Sequence, residues 1–500
     1  MNTKRLKAFV FFLAAAAAAL VIVQLRIAVV KNKEYSKNVV AQRSEQIEIK
    51  KHRGLFYDRN MIPLVENSPE LINISKDGSI TKNQGELSLE TIARYGKNSL
   101  AEHLIGYVDS DGRGISGLEK CFDSVLYTDK SCTANVITDA VGNVVKNNGL
   151  SVAGRKNGNM SSVKLTLDYH IQKIVENCMD SYGIDGAAVV MDVKNSDILA
   201  MASRPQFDRN NENEYLKSDG GELVNKCISA YNAGSIFKII TASAALENNT
   251  AEDLYNCSGT EIIDSREFAC HKKDGHGTLD FENAFAESCN CAFYNMGVKT
   301  GAKSIINMAE KFGLGLRVLC FDCLSESAGC LPVRDSYGVL ESVNFSIGQG
   351  EILITPVQAA NMACIVANNG IANSVNVAQS IVGENGAEKR DLRENFERRV
   401  IDRNIAYEIQ KCMRKAVTDG TASGAKSDIV EIAGKTGTAQ TGWYENGENM
   451  VHGWFCGFFP YDNPKYAMAV FAENGRSGSG SAVPVFKAIA EEIVKFYPIG

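Results

Sequence analysis

Ala233-Gly234-Ser235-Ile236-Phe237-Lys238 opens a helix-like run that continues through Leu246. Serine and lysine three positions apart share one helical face. A serine hydroxyl is a poor nucleophile until a base takes its proton, and a lysine is that base only where burial or a neighbouring cation leaves it neutral. The spacing thus offers nucleophile and base together. Ser-x-x-Lys also recurs by chance in long chains, where it is a capping serine beside a solvated lysine.

Two further elements lie downstream, Ser288-Cys289-Asn290 and Gly434-Lys435-Thr436-Gly437-Thr438. Each has a plain reading. Ser288 and Asn290 are good caps for the helix-like run through Tyr294 and Gly297, and Lys435 suits a charged edge strand with Gly437 relieving a bulge. In this order, however, the three make the set found in serine enzymes that acylate through a Ser-Lys pair.

The surrounding pattern supplies a frame. Leu165-Thr166-Leu167-Asp168 leads into a helix over 169–179, and 187–191 and 198–202 flank a turn at Lys194-Asn195-Ser196. Thr355 as N-cap, Pro356 at the first helical position and Gly370 past the last turn delimit another helix. Residues 434–440, 454–459 and 466–471 read as strands, and 485–497 as a closing amphipathic helix. The fold class is α/β of the α+β type, an antiparallel sheet flanked by helices. Before about residue 160 the chain is polar and punctuated by Gly and Asn, ending in a loop-like stretch over 147–159, as expected of a small separate domain and linker.

At the amino terminus Lys4, Arg5 and Lys7 precede an apolar run over 8–23. That length suits either an anchor or a signal-peptide core. The continuation through Arg26, Lys31 and Lys33 favours an anchor. Elsewhere 45% hydrophobic and 22% charged residues in a 500-residue chain describe two or three globular domains. A formal net charge of -6 gives no electrostatic reason to bind nucleic acid. Of the 14 cysteines, Cys178, Cys364 and Cys412 sit in core-like contexts. Cys320, Cys323 and Cys330 suggest a zinc site but lack a nearby His and a fourth ligand, so no metal is expected there. Cys257 and Cys270 would pair in an oxidising compartment and stay free in a reducing one.

With these motifs in place the sequence resembles a class B penicillin-binding protein over nearly its whole length. The amino-terminal part carries Arg53-Gly54-Leu55-Phe56-Tyr57-Asp58-Arg59-Asn60, His103-Leu104-Ile105-Gly106-Tyr107-Val108 and Gly114-Ile115-Ser116-Gly117-Leu118-Glu119, similar to that family's pedestal signatures. Gly275-His276-Gly277, Gly348-Gln349-Gly350, Thr355-Pro356 and His452-Gly453-Trp454-Phe455 are similar to its later landmarks. Ala233 departs from the usual proline. The resemblance implies the penicillin-binding serine transpeptidase fold, with a membrane anchor in 1–30, a dimerisation-type pedestal and linker in 31–160 and a transpeptidase domain in 161–500.

It also implies roles. Ser235 attacks a D-alanyl-D-alanine carbonyl, Lys238 accepts its proton, and Ser288 relays a proton to the leaving amine. Asn290 orients Lys238 and bonds the substrate amide. Lys435 holds Lys238 neutral and, with Thr436, Gly437 and Thr438, binds the terminal carboxylate. The backbone N–H groups of Ser235 and Thr438 form the oxyanion hole. No cofactor or metal is required. His452 is expected to pack rather than react, and Arg53 and Glu119 to stabilise the pedestal or meet a partner. The expected partners are peptidoglycan stem peptides, β-lactam antibiotics, the membrane and a SEDS-type glycosyltransferase, with the catalytic domain extracytoplasmic on a single-pass anchor. Two alternatives share these motifs. One is a hydrolase of the D,D-carboxypeptidase or β-lactamase type, and the other a β-lactam-binding sensor or assembly scaffold.

Overall fold

The computed structural model describes the chain apart from residues 1–2, 67, 82–86, 97, 140, 146–150, 154–159, 219, 335, 446–447, 476 and 499–500. The loop-like stretch at 147–159 falls outside the described residues save for the strand Ser151–Ala153. The chain divides into two compact units.

The smaller unit comprises Met1–His52, Pro69–Ala93 and Thr128–Gly158. Its amino-terminal helix Thr3–Leu25 continues as a π-helical turn over Arg26–Val30, and the 28 residues together are long and apolar enough to cross a membrane. Two three-stranded sheets follow, one of them built from Ser44–Arg53, Tyr127–Ile137 and Ser151–Ala153. Ile74, Ala134, Val136 and Val144 make its small core.

The larger unit comprises Arg53–Ser68, Arg94–Tyr127 and Asn159–Gly500. The segments carrying the Arg53, His103 and Gly114 signatures therefore fold with the catalytic motifs. At its centre stand five strands, β1 Gly186–Asp192, β2 Ile198–Arg204, β3 Ala433–Glu445, β4 Glu448–Phe459 and β5 Tyr466–Ala472. They are antiparallel throughout, in the order β2-β1-β5-β4-β3.

Successive side chains of a strand point to opposite faces, so a sheet covered on both sides needs apolar residues at every position. On β4 and β5 one face carries Trp454, Cys456, Phe458, Ala467, Ala469 and Phe471. It packs on the helix Pro356–Ala367, which is buried along its whole length. The other face carries Phe455, Phe459, Met468 and Val470 and packs with the helices Tyr169–Ser181 and Val483–Phe496. The closing helix buries Val485, Phe486, Ile489, Ala490 and Ile493, a stripe at helical spacing. Each of the Val, Phe and Ile side chains contributes about 1.5–3 kcal/mol, and truncating Phe486 to alanine would cost about 3–5 kcal/mol.

Local signals set the helix ends. Thr355 Oγ1 accepts from Gln358 N and the Gln358 side chain returns a bond to Thr355 N, a capping box ahead of Pro356. Asp168 caps the helix Tyr169–Ser181 by accepting from His170 N and Ile171 N. The cysteines sort partly as read: Cys178, Cys364 and Cys412 are buried and free. At Cys320, Cys323 and Cys330, where no metal is expected, Cys323 is disulfide-bonded to Cys121 across 202 residues of sequence. A thiol consumed in that bond has no thiolate left for a metal.

Candidate active site

Ser235 sits in a 3-10 turn, Gly234–Phe237, that runs directly into the helix Lys238–Glu247. Two glycines let backbones close around it. Gly234 has φ +57°, and a Cβ there would stand 2.8 Å from the carbonyl oxygen of Thr438. Gly348 has φ +71°, donates no room for a Cβ, which would meet Gly234 O at 2.1 Å, and accepts from Gly234 N at 3.0 Å. The departure at Ala233 is absorbed without distortion: its φ of -71° is the value a proline ring would impose. The residues before it, Tyr231–Asn232, pair with Leu353–Ile354, and Trp454 Nε1 donates to Asn232 O at 3.0 Å.

The second element forms the corner between the helices Phe281–Ala286 and Asn290–Thr300, with Ser288 at φ +52°. Cys289 is the N-cap of the later helix and no side chain caps it, so the capping reading of Ser288 and Asn290 does not hold. Their polar atoms face Lys238 instead. Lys238 Nζ donates to Ser288 O at 2.7 Å, to Asn290 Oδ1 at 2.7 Å and to Ser288 Oγ at 3.2 Å. The third element is on β3, the sheet edge, yet Lys435 is fully buried rather than solvated. Its Nζ donates to Ser288 Oγ at 2.9 Å and to Thr436 O at 3.1 Å.

One hydroxyl oxygen therefore takes both lysines. Burial pushes Lys238 down to about 7. Burial, and then the charge of Lys238, hold Lys435 well below the usual lysine range. Two ammonium groups on one oxygen in a dry pocket repel, so one proton leaves readily. That is the state a serine nucleophile needs of its neighbour.

Above the lysines lies a cavity of about 820 Å³ whose wall includes Ser235, Ser288, Asn290, Thr436, Thr438 and Gln440. Gly437 is packed behind that wall, where a Cβ would approach Ile236 N to 3.2 Å, so it permits the close approach of β3 to the Ser235 turn. Gly478 N donates to Thr438 Oγ1 at 3.3 Å. His452 stacks edge-on against Tyr231 and Phe471 and accepts from Asn474 N at 3.4 Å, a packing position.

A second constellation went unread in the sequence. Cys257, Cys270, His276 and Cys289 bring their ligand atoms within 4.8 Å of one another. His276 Nδ1 is 3.5 Å from Cys257 Sγ and 3.6 Å from Cys270 Sγ, and the Cys270 and Cys289 sulfurs are 4.0 Å apart. Tetrahedral zinc, with Zn–S of about 2.3 Å and Zn–N of about 2.0 Å, places such atoms about 3.5–3.8 Å apart. The four residues thus fit a Cys3His divalent metal centre, and of the two alternatives for Cys257 and Cys270 the structure has both thiols free. The wide spacing of the four in sequence, unlike a Cys-x-x-Cys pair, gave no local signal, although Cys289 lies inside the Ser-x-Asn element itself.

The profile of the penicillin binding protein transpeptidase domain matches residues 186–491. The chain is 29% identical over 417 residues to stage V sporulation protein D of Bacillus subtilis, covering 79% of this chain and 62% of that protein. It is 30% identical over 448 residues to the peptidoglycan D,D-transpeptidase MrdA of Acinetobacter baumannii, covering 79% and 65%. The chain thus spans just under two thirds of the length of such relatives. The fold is similar to that of penicillin binding protein 3 from Mycobacterium tuberculosis complexed with ampicillin, at a TM-score of 0.70 and 25% identity over 91% of this chain and 97% of that one.

Proposed function

The chain belongs to the penicillin-binding protein transpeptidase family, and from that premise we propose that it is a peptidoglycan D,D-transpeptidase that cross-links stem peptides and is acylated by β-lactams. The observation that carries the reading is the pair of buried lysines on Ser288 Oγ beneath a cavity lined by Ser235. Neutral Lys238 takes the proton of Ser235 as its Oγ attacks the penultimate D-alanine carbonyl. The backbone N–H groups of Ser235 and Thr438 receive the oxyanion. As the tetrahedral intermediate collapses, Ser288 passes a proton to the departing D-alanine amine, leaving the acyl ester on Ser235. An acceptor amine then attacks that ester, its proton returns through the same groups, and Ser235 is released.

The terminal carboxylate of the donor peptide has a part in readying the base. Set against Lys435, Thr436 and Thr438, it raises the proton affinity of Lys435, and a cationic Lys435 in turn keeps Lys238 neutral. Asn290 holds Lys238 in line and offers its amide to the substrate. Cys257, Cys270, His276 and Cys289 would hold a zinc ion as a structural clasp beside the Ser288 corner, outside the acyl-transfer steps.

In this reading residues 1–30 form a single-pass anchor, 31–160 a pedestal and linker of which Arg53–Ser68 and Arg94–Tyr127 fold with the catalytic motifs, and 161–500 an extracytoplasmic catalytic domain. The helix Thr3–Val30 supports the anchor. With acyl transfer as the chemistry of this chain, glycan polymerisation falls to a SEDS-type glycosyltransferase partner. A purified pair that neither co-migrates nor alters each other's activity would end that pairing.

The test is labelling of the full chain in detergent with a fluorescent penicillin, wild type beside Ser235→Ala, followed by intact mass over time. A lasting adduct on the wild type alone is the expected result. Rapid loss of the adduct would point to a hydrolase, and no adduct to a scaffold.

A further inference from the structure

Thr421 lies outside the three motifs, in the turn after the helix Arg403–Thr418. It joins two of them. Its N–H donates to Ala286 O at 3.1 Å, two residues before Ser288, and its Oγ1 lies 3.3 Å from the same carbonyl. The Oγ1 is also 2.9 Å from Oγ1 of Thr436. The preceding turn is wedged in place, since a Cβ on Gly420 would meet Ala286 O at 2.3 Å. Both threonines are on the cavity wall.

A threonine hydroxyl has one proton and two lone pairs. Thr421 can spend its proton on Ala286 O or on Thr436 Oγ1, not on both. In the first state Thr436 donates to Thr421 and turns its proton away from the cavity. In the second Thr421 donates to Thr436, whose own proton is then free to point at a ligand. Moving between them strands nothing, because the N–H of Thr421 continues to satisfy Ala286 O. An anion in the cavity selects the second state.

We infer that Thr421 is a positioning residue that orients the Thr436 hydroxyl toward the carboxylate of the acyl donor and so sets the preference for anionic over neutral donors. This rests on the acyl-transfer reading above. Nothing needs to be oxidised or transferred beyond a hydroxyl rotation.

The experiment measures second-order acylation of the full chain by benzylpenicillin and by its neutral methyl ester, using intact mass, for wild type, Thr421→Val and Thr421→Ser. The expected result is an about tenfold loss of the acid-over-ester preference in Thr421→Val, the scale of one hydrogen bond to a charged group. The ester rate should stay within about twofold and the preference should return in Thr421→Ser. An unchanged preference in Thr421→Val would overturn the inference while leaving acyl transfer intact. So would an equal fall with both probes that serine does not rescue, which marks a structural strut. A wild type acylated by neither probe would sink the acyl-transfer reading and this one with it.

Discussion

Glu119 and Lys238 are both wholly buried, and they meet burial in opposite ways. Glu119 accepts from Arg53 Nε and Arg94 Nε, each at 2.7 Å, and from Tyr95 OH at 2.8 Å. Burial alone would raise its pKa, but Arg94 and Arg53 together bring it below the ordinary value. Lys238 finds only the neutral oxygens of Ser288 and Asn290, and a second lysine on the same hydroxyl. Opposite charges lock a proton balance in place, whereas like charges leave one proton easily moved. The first arrangement holds a structure together, and the second is a place for proton transfer.

The sharpest way to break this contrast is to truncate one member of each cluster. Lys238→Ala should lower penicillin acylation by about 10⁴-fold, or about 5.5 kcal/mol, while the protein still folds. An acylation rate within tenfold of wild type would remove Lys238 as the base. Glu119→Ala should do the reverse. It takes from Arg53 and Arg94 the buried carboxylate they share, leaving Asp123 and Glu66 as their remaining acidic partners, and should cost about 3 kcal/mol in denaturant unfolding, with the folded fraction acylated at the normal rate. Loss of acylation without loss of stability would put Glu119 in the mechanism instead.

The candidate metal ligands Cys257, Cys270, His276 and Cys289 test whether the Ser288 corner needs support beyond its hydrogen bonds. Zinc at about one hundred times its Kd should stabilise the chain by about 2.7 kcal/mol, and Cys289→Ser should abolish the gain. An equal response in that variant would place the ion elsewhere. The smallest effect per step is in pH. With the neutral Lys238 amine as the proposed base, activity is present above the Lys238 pKa and lost below it. With that pKa near 7, acylation should fall about tenfold per unit on the acid side and level off on the alkaline side. A rate flat between pH 5 and pH 8, in the range where histidine and this lysine titrate, would show that Lys238 is already neutral throughout.

Particular residues show where the sequence was legible. The cap at Thr355, the strands β4 and β5 and the amphipathic closing helix were readable because each is set by neighbours a few residues away. Ser235, Ser288 and Asn290, drawn from two of the motifs, line one cavity, and Lys238 is buried against Ser288 and Asn290. The capping role considered for Ser288 and the solvated edge considered for Lys435 failed for one reason: each assumed local surroundings for a side chain whose partners come from other elements. The pairing of Cys323 was unreadable for the same reason, since its partner Cys121 lies in an early segment that folds with the larger unit.

By itself, then, the sequence determined the central strands and helices, the cap at Thr355 and the candidate reacting groups, because dihedral preferences, side-chain periodicity and functional-group chemistry are properties of the residue and its near neighbours. Only the tertiary structure decided that two lysines share one hydroxyl, that Cys257, Cys270, His276 and Cys289 converge, and that Thr421 bridges Ala286 to Thr436. Proton affinity, metal fit and hydroxyl direction depend on desolvation and on distances of about 3–4 Å, and those are fixed only when remote segments pack together.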